Sequence, residues 1–348
     1  MTLFRAFALA LLLFPIAHGA LLADQPDGRS LGMAITSPEH GDFPSALATA
    51  IDAGVTRVPL TFTWRSLEPD SNAYDDRNLA IAALVIPAMG VSVDLAITPM
   101  VGSDLALPRD LKDKPLDDPQ VIARFQELLG HVLSVLSDTD VRLVLVGVEA
   151  DVYLGDDASA WAGFTTFATA AADFLHRQTP GIEVGVQSST YSRLRDPDKW
   201  APLDDISDII ATSYYPLDGL TARDPSEIAT DFDALTALYP ERSIRIVEAG
   251  FPSSRANGSS NELQADFIHA LFAAWDEHAD QILSVTLWIE HDYSPYQLDQ
   301  IQHASVDQPA IYLSLVGSMG LRLWDDEGAP KPAWIALLQE SKARGWQP

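Results

Sequence analysis

Short apolar runs alternate with longer stretches of helical periodicity along most of this chain. Eight runs read as strands, at residues 30–36, 55–61, 91–98, 141–149, 182–188, 209–214, 244–248 and 282–289. Several are nearly continuous in Val, Ile, Leu and Ala, the pattern of parallel strands covered on both faces. Between them the spacing predicts helices over 43–53, 76–89, 119–136, 159–178, 225–238 and 261–278, with a last one over 332–342. The fifth unit is weak, because residues 196–205 supply only about a turn of helix. Ser259 and Glu262 read as a capping box before the sixth helix. Gly54, Gly90 and Gly181 stand where helices end on glycine. Strand and helix in strict alternation predict an α/β protein, a (β/α)8 TIM barrel occupying residues 21–348 as one domain. Residues 293–317 form the longest irregular stretch, either a loop over the site or the excursion before the final helix.

Composition supports a large folded core. The chain has 348 residues, 47% of them hydrophobic, enough for a barrel that needs roughly 250. Its start has the form of an export signal: Arg5 in a short basic region, an apolar run from Ala6 to Ala17, then small residues that put cleavage after Gly19 or Ala20. The run is shorter than the roughly 18 residues needed to span a bilayer, so residues 1–20 are expected to be removed and the protein to be periplasmic or secreted. With no cysteine, disulfides, thiolate metal sites and cysteine nucleophiles are excluded, and an exported chain of this kind points to a bacterium. A net charge of -27 repels nucleic acid and anionic lipid, leaving a neutral substrate as the best fit, although solubility alone accounts for much of it.

Two glutamates stand out against the apolar strands that carry them. Glu149 ends the fourth run and Glu248 the seventh. Catalytic groups of (β/α)8 enzymes project from the carboxyl ends of strands, and a carboxyl pair about 5 Å apart serves retaining glycoside hydrolysis. The competing reading pairs either glutamate with an arginine such as Arg57 or Arg245 to stitch strands together. Trp288 and Trp64 offer apolar faces on which a sugar ring can pack, while Tyr153, Trp161 and Tyr293 read equally well as rim packing. Asp151 is a second carboxyl near Glu149. Glu290, His291 and Asp292 follow Trp288, but adjacent side chains diverge and no second ligand cluster accompanies them, so no metal is expected. Phosphate-binding glycine loops and nucleophile elbows are absent from the sequence.

These motifs together resemble the retaining glycoside hydrolases of clan A, nearest the endo-β-1,4-galactanase-like group. Arg57 in Thr-Arg-Val-Pro-Leu resembles the arginine of strand two, and Trp64 with Leu67-Glu68-Pro69 the loop after it. Glu149 matches the acid/base position, Ser213-Tyr214-Tyr215-Pro216 the strand-six motif, Glu248-Ala249-Gly250-Phe251-Pro252 the nucleophile segment and Trp288 the strand-eight tryptophan. The resemblance implies an exported, cofactor-free hydrolase acting as a monomer on a β-linked neutral oligo- or polysaccharide, with Glu248 as nucleophile and Glu149 as acid/base. Arg57 and a tyrosine, Tyr215 before Tyr214, would hydrogen-bond Glu248 and favour its ionised form. One position departs from the clan. The asparagine that normally precedes the acid/base, and holds the sugar 2-hydroxyl, is Val148 here. That substitution keeps open an alternative, a catalytically impaired barrel that binds glycan.

Overall fold

A computed structural model describes residues 25–304 and 308–347. The expected export signal over residues 1–20 lies outside the described residues. Among the described residues no helix is long and apolar enough to cross a membrane.

The parallel sheet contains β1 (Ser30–Met33), β2 (Arg57–Thr63), β3 (Ser92–Thr98), β4 (Val141–Leu145), β5 in two pieces (Glu183–Gly185 and Gln187–Ser189), β6 (Ile210–Tyr214), β7 (Ile244–Ala249) and β8 (Ile282–Leu287). The first piece of β5 pairs with β4 and the second with β6, while β1 pairs with both β2 and β8. The split strand therefore closes the ring. Backbone bonds from Val146 to Gly185 and from Gln187 to Gly147, both 3.0 Å, continue the pairing across the gap. Eight principal helices surround it: α1 (Phe43–Asp52), α2 (Arg77–Met89), α3 (Pro119–Val135), α4 (Ala158–Gln178), α5 (Pro197–Asp204), α6 (Ile228–Leu238), α7 (Asn261–Glu277) and α8 (Pro332–Ala343). This is the (β/α)8 arrangement that the alternation predicts.

Two local expectations change. The cap of α7 is Ser260, whose hydroxyl accepts from Leu263 N at 3.2 Å; this puts Glu262 at N2 and Leu263 at N3, so the predicted box of Ser259 and Glu262 gives way to a single serine cap. The stretch 293–317 contains two short helices, Pro295–Ala304 and Ala310–Val316, rather than only irregular chain. The three terminal glycines behave as expected, with φ of 96° at Gly54, 75° at Gly90 and 92° at Gly181, a region closed to most side chains.

Alternation along each strand sorts the core. Val93, Leu95 and Ile97 of β3, like Ile244 and Ile246 of β7, face the helices and join the two large apolar clusters between sheet and helices. Facing inward, Ala96, Leu143, Leu145, Ile209, Ala211 and Val247 make a separate apolar plug. Charges lie at the floor beneath it. Arg57, the first residue of β2, pairs with Asp94 at 2.6 Å, and Arg245 near the start of β7 donates to Glu183 at 2.8 Å. Arg57 thus belongs to the amino-terminal end of the barrel. It pairs with Asp94 and is not among the groups that act on Glu248, so the contact with Glu248 that the sequence suggests is not made.

Candidate active site

Glu149 and Glu248 meet at the carboxyl-terminal mouth, each placed by a break in regular structure. β4 ends at Leu145, and the chain runs on to Glu149, which adopts φ 46° and ψ 46° and opens the short helix Ala150–Leu154. A left-handed glutamate costs of order 1–3 kcal/mol, which packing elsewhere must offset. Its Oε1 accepts from Ser213 Oγ at a long 3.4 Å. Glu248 sits at a bulge: Ile246 aligns with Thr212 of β6, yet Glu248 aligns with the very next residue, Ser213. The extra residue resets the alternation. Val247 points into the plug, and Glu248, which strict alternation would send toward the helices, turns to the mouth instead.

Tyr215 donates its hydroxyl to Glu248 Oε2 at 2.9 Å. Gly250 makes room for that ring: a Cβ there would lie 2.7 Å from Tyr215 Cε1 and 3.1 Å from Trp288 Cβ. Trp288 stands nearly perpendicular to Tyr215, with centroids 6.4 Å apart, in a small cluster that also holds Tyr293 and Tyr312. Gln187, on the second piece of β5, turns its amide to Glu248 and draws its pKa down, although Nε2 makes no hydrogen bond of normal geometry.

The electrostatics are those of two half-buried like charges. Burial first, then the negative charge of Glu149, pushes Glu248 up to about 7 despite Gln187 and Tyr215. Burial and the charge of Asp151 push Glu149 up as well, against the weak bond from Ser213. No cation contributes to either carboxyl among these causes. The pair therefore titrates as a unit and favours holding one proton. Arg57 and Arg245, the possible structural partners, are engaged with Asp94 and Glu183.

The other expected site residues divide. Tyr215 and Trp288 join the two glutamates, and Tyr293 stands close enough for Glu248 to raise its pKa, to about 12 together with burial. Tyr214 faces outward, fully buried, and donates to Asp231 at 2.8 Å beside Tyr191. Trp64 is also removed from the mouth. It opens the short helix Trp64–Leu67, donates Nε1 to Glu68 at 2.9 Å and packs against Phe125 and Phe167 in the helix layer. Glu290 lies buried beside Arg322, His291 bonds Thr36 O through Nδ1 at 2.6 Å, and Asp292 pairs with Lys331 at 2.6 Å, so all three brace the segment after β8. Val148 packs on the plug and brings no polar group to the mouth. Gln187, Ser213 and Tyr312 enter the site without having been singled out as site residues. For Gln187 the signal was present, since a buried strand with the polar tip Gln187-Ser188-Ser189 raises the same question as a terminal glutamate.

Among the described residues, two groups of three side chains have potential metal-ligand atoms within 4.8 Å of one another, Glu39 with His40 and Asp326, and Asp233 with Glu277 and His278. Neither includes a residue of the mouth.

No protein-family model matches the sequence, and no curated protein matches it. Solved structures do. A GH5_18 protein from Bifidobacterium longum in complex with Manβ1-4GlcNAc superposes with a TM-score of 0.68 at 15% identity, covering 92% of this chain and 79% of the other. An exo-β-1,4-mannosidase from an Opitutaceae bacterium gives 0.68 at 16% identity, over 93% of this chain and 62% of that one. The GH53 catalytic domain of Ignisphaera aggregans gives 0.61 at 16% identity, over 96% and 99%. The neighbours are glycoside hydrolases of the clan A type, and the chain has their (β/α)8 barrel fold.

Proposed function

We propose that the protein is a retaining glycoside hydrolase acting on a β-linked neutral glycan. The observation that carries this reading is the pair of half-buried glutamates at the mouth, charged against each other, with no cation among the described groups that act on either. Glu248 is the nucleophile: it receives the Tyr215 hydroxyl and faces the Gln187 amide, donors that favour its carboxylate. Glu149 delivers the proton that the pair shares, having only a long hydroxyl contact and the nearby Asp151 charge to hold its own carboxylate.

In the first step Glu248 attacks the anomeric carbon as the bond to the leaving oxygen breaks, and Glu149 gives that oxygen its proton. In the second, Glu149 takes a proton from water, whose oxygen displaces Glu248 and restores the starting configuration at that carbon. Trp288 supplies an apolar face beside the reacting sugar. No step requires a cofactor. Export to the periplasm or medium, which we infer from residues 1–20, fits an enzyme of extracellular glycans.

Proton NMR of the first sugar released from β-1,4-linked manno- and galacto-oligosaccharides tests the reaction. The β-anomer should appear first and mutarotate later; the α-anomer first would rule out retention. Val148 favours one second reading, glycan binding without cleavage, because its apolar side chain cannot hold the sugar 2-hydroxyl. Tight oligosaccharide binding with no product would establish that alternative.

A further inference from the structure

The tip of β5 holds an amide whose donors are not used up within the protein. Along this split strand Val186 joins the apolar layer between sheet and helices, and Ser188 accepts from Arg193 Nε on the same outer side, so alternation turns Gln187 inward. Its backbone N donates to Gly147 O at 3.0 Å, which sets Gln187 beside Gly147 and Val148 in the ring. Only 2% of Gln187 is exposed, and its Nε2 is buried and makes no hydrogen bond of normal geometry. An amide nitrogen carries two N–H donors, and a buried donor left unmade is costly. Its persistence at a site points to an acceptor that arrives from outside.

The surroundings identify that acceptor. Gln187 approaches Glu248 closely enough to draw its pKa down, so the amide stands beside the group assigned to attack C1 of the sugar. A donor beside C1 has the hydroxyl one bond further on, at C2, within reach. The other donors described at the mouth are committed, Tyr215 to Glu248 and Ser213 to Glu149. Val148 packs on the plug and offers nothing polar in competition.

We propose that Gln187 holds the C2 hydroxyl of the reacting sugar and is the residue through which this protein reads that position. This role rests on Glu248 being the nucleophile, because only then does the amide lie beside C1. Nε2 donates to the hydroxyl oxygen, and the hydroxyl donates its own hydrogen to Glu248. Positive charge growing at C1 makes that hydrogen a stronger donor, so the bridge tightens toward the transition state. An amide from β5 then serves where position 148 has none, and an apolar residue at 148 is compatible with turnover.

The test pairs 4-nitrophenyl β-mannoside and β-galactoside, each with its 2-deoxy counterpart, and compares kcat/KM in native, Gln187→Met and Gln187→Ala protein. Methionine keeps the length of the side chain and removes both donors. A variant that keeps a cooperative melting transition should lose about 10²-fold on the 2-hydroxyl glycoside and severalfold at most on the 2-deoxy one. Relative to the uncatalysed rates, the native protein should prefer the 2-hydroxyl glycoside by about tenfold or more. Equal losses on both substrates would show that Gln187 acts only through Glu248, and absence of the native preference would remove the contact; either overturns the role. If the native protein hydrolyses none of the four, hydrolysis itself fails, and calorimetric binding of methyl β-mannoside, methyl β-galactoside and their 2-deoxy forms decides Gln187 separately. A severalfold native preference for the 2-hydroxyl that disappears in the variant would sustain the contact. Binding without preference, a preference that survives the substitution, or no binding by the native protein would overturn it.

Discussion

The floor and the mouth of this barrel both hold charged side chains, under opposite rules. At the floor every acid described has a cation: Arg57 with Asp94, Arg245 with Glu183. At the mouth two carboxyls face each other in the company of hydroxyl and amide groups and a third carboxyl, Asp151, and no cation is among the described groups that act on them. Paired charges hold strands in register. Unpaired like charges raise the free energy of the folded chain, and their persistence indicates chemistry.

The contrast is broken most sharply by substitution at the mouth. Glu248→Gln and Glu149→Gln should each lower hydrolysis of β-1,4-oligosaccharides by about 10³-fold or more, close to the upper range for a positioned acid, base or nucleophile. Folding should respond the other way. The two mouth carboxyls share a proton, Glu248 being pushed up to about 7 against an ordinary 4.5 and Glu149 raised as well, so the folded state keeps a proton that the unfolded chain has lost between those values. The stability this proton contributes is full below pH 4.5 and disappears as pH rises through 7. Glu248→Gln should therefore melt higher than the native protein at pH 8, with the difference narrowing toward pH 4.5. A lower melting point at pH 8 would show that the carboxylate is structurally paired after all.

At the floor the expected sign reverses. Asp94→Ala leaves Arg57 buried without its carboxylate, and loss of one partner of a buried pair costs about 3–5 kcal/mol. Its urea midpoint should fall accordingly. A midpoint unchanged within error would mean that the floor pair contributes nothing and that the comparison fails on that side.

Most of the scaffold was legible because apolar runs and helical periodicity report burial directly, and β1–β8 appear within a few residues of the predicted runs. The site was legible in part. Alternation separated Tyr215 from Tyr214 correctly, since neighbouring residues on a strand face opposite ways. The same rule would have turned Glu248 outward; the bulge after Ile246 reverses it, and backbone register leaves little trace in side-chain pattern. Arg57 matched a motif but sits at the wrong end of its strand, because a motif fixes order along the chain and not height in the barrel. Trp64 was lost to the helix layer when the chain turned into a short helix directly after β2.

Smaller effects sharpen the division of labour within the mouth. Tyr215→Phe removes the donor to Glu248 and should reduce kcat by about 10- to 100-fold with the melting point nearly unchanged. Asp151→Asn removes a negative charge that helps to keep Glu149 protonated, so the alkaline limb of kcat/KM should move to lower pH, by about a unit or less. Movement to higher pH would contradict the assignment of the proton to Glu149.

The most direct test is the mass of the intact protein after incubation with activated 2-deoxy-2-fluoro β-mannosides and β-galactosides, native beside Glu248→Ala. The account predicts one glycosyl adduct on the native chain, located on a peptide containing Glu248 and absent from the variant. An adduct that persists in Glu248→Ala would contradict it.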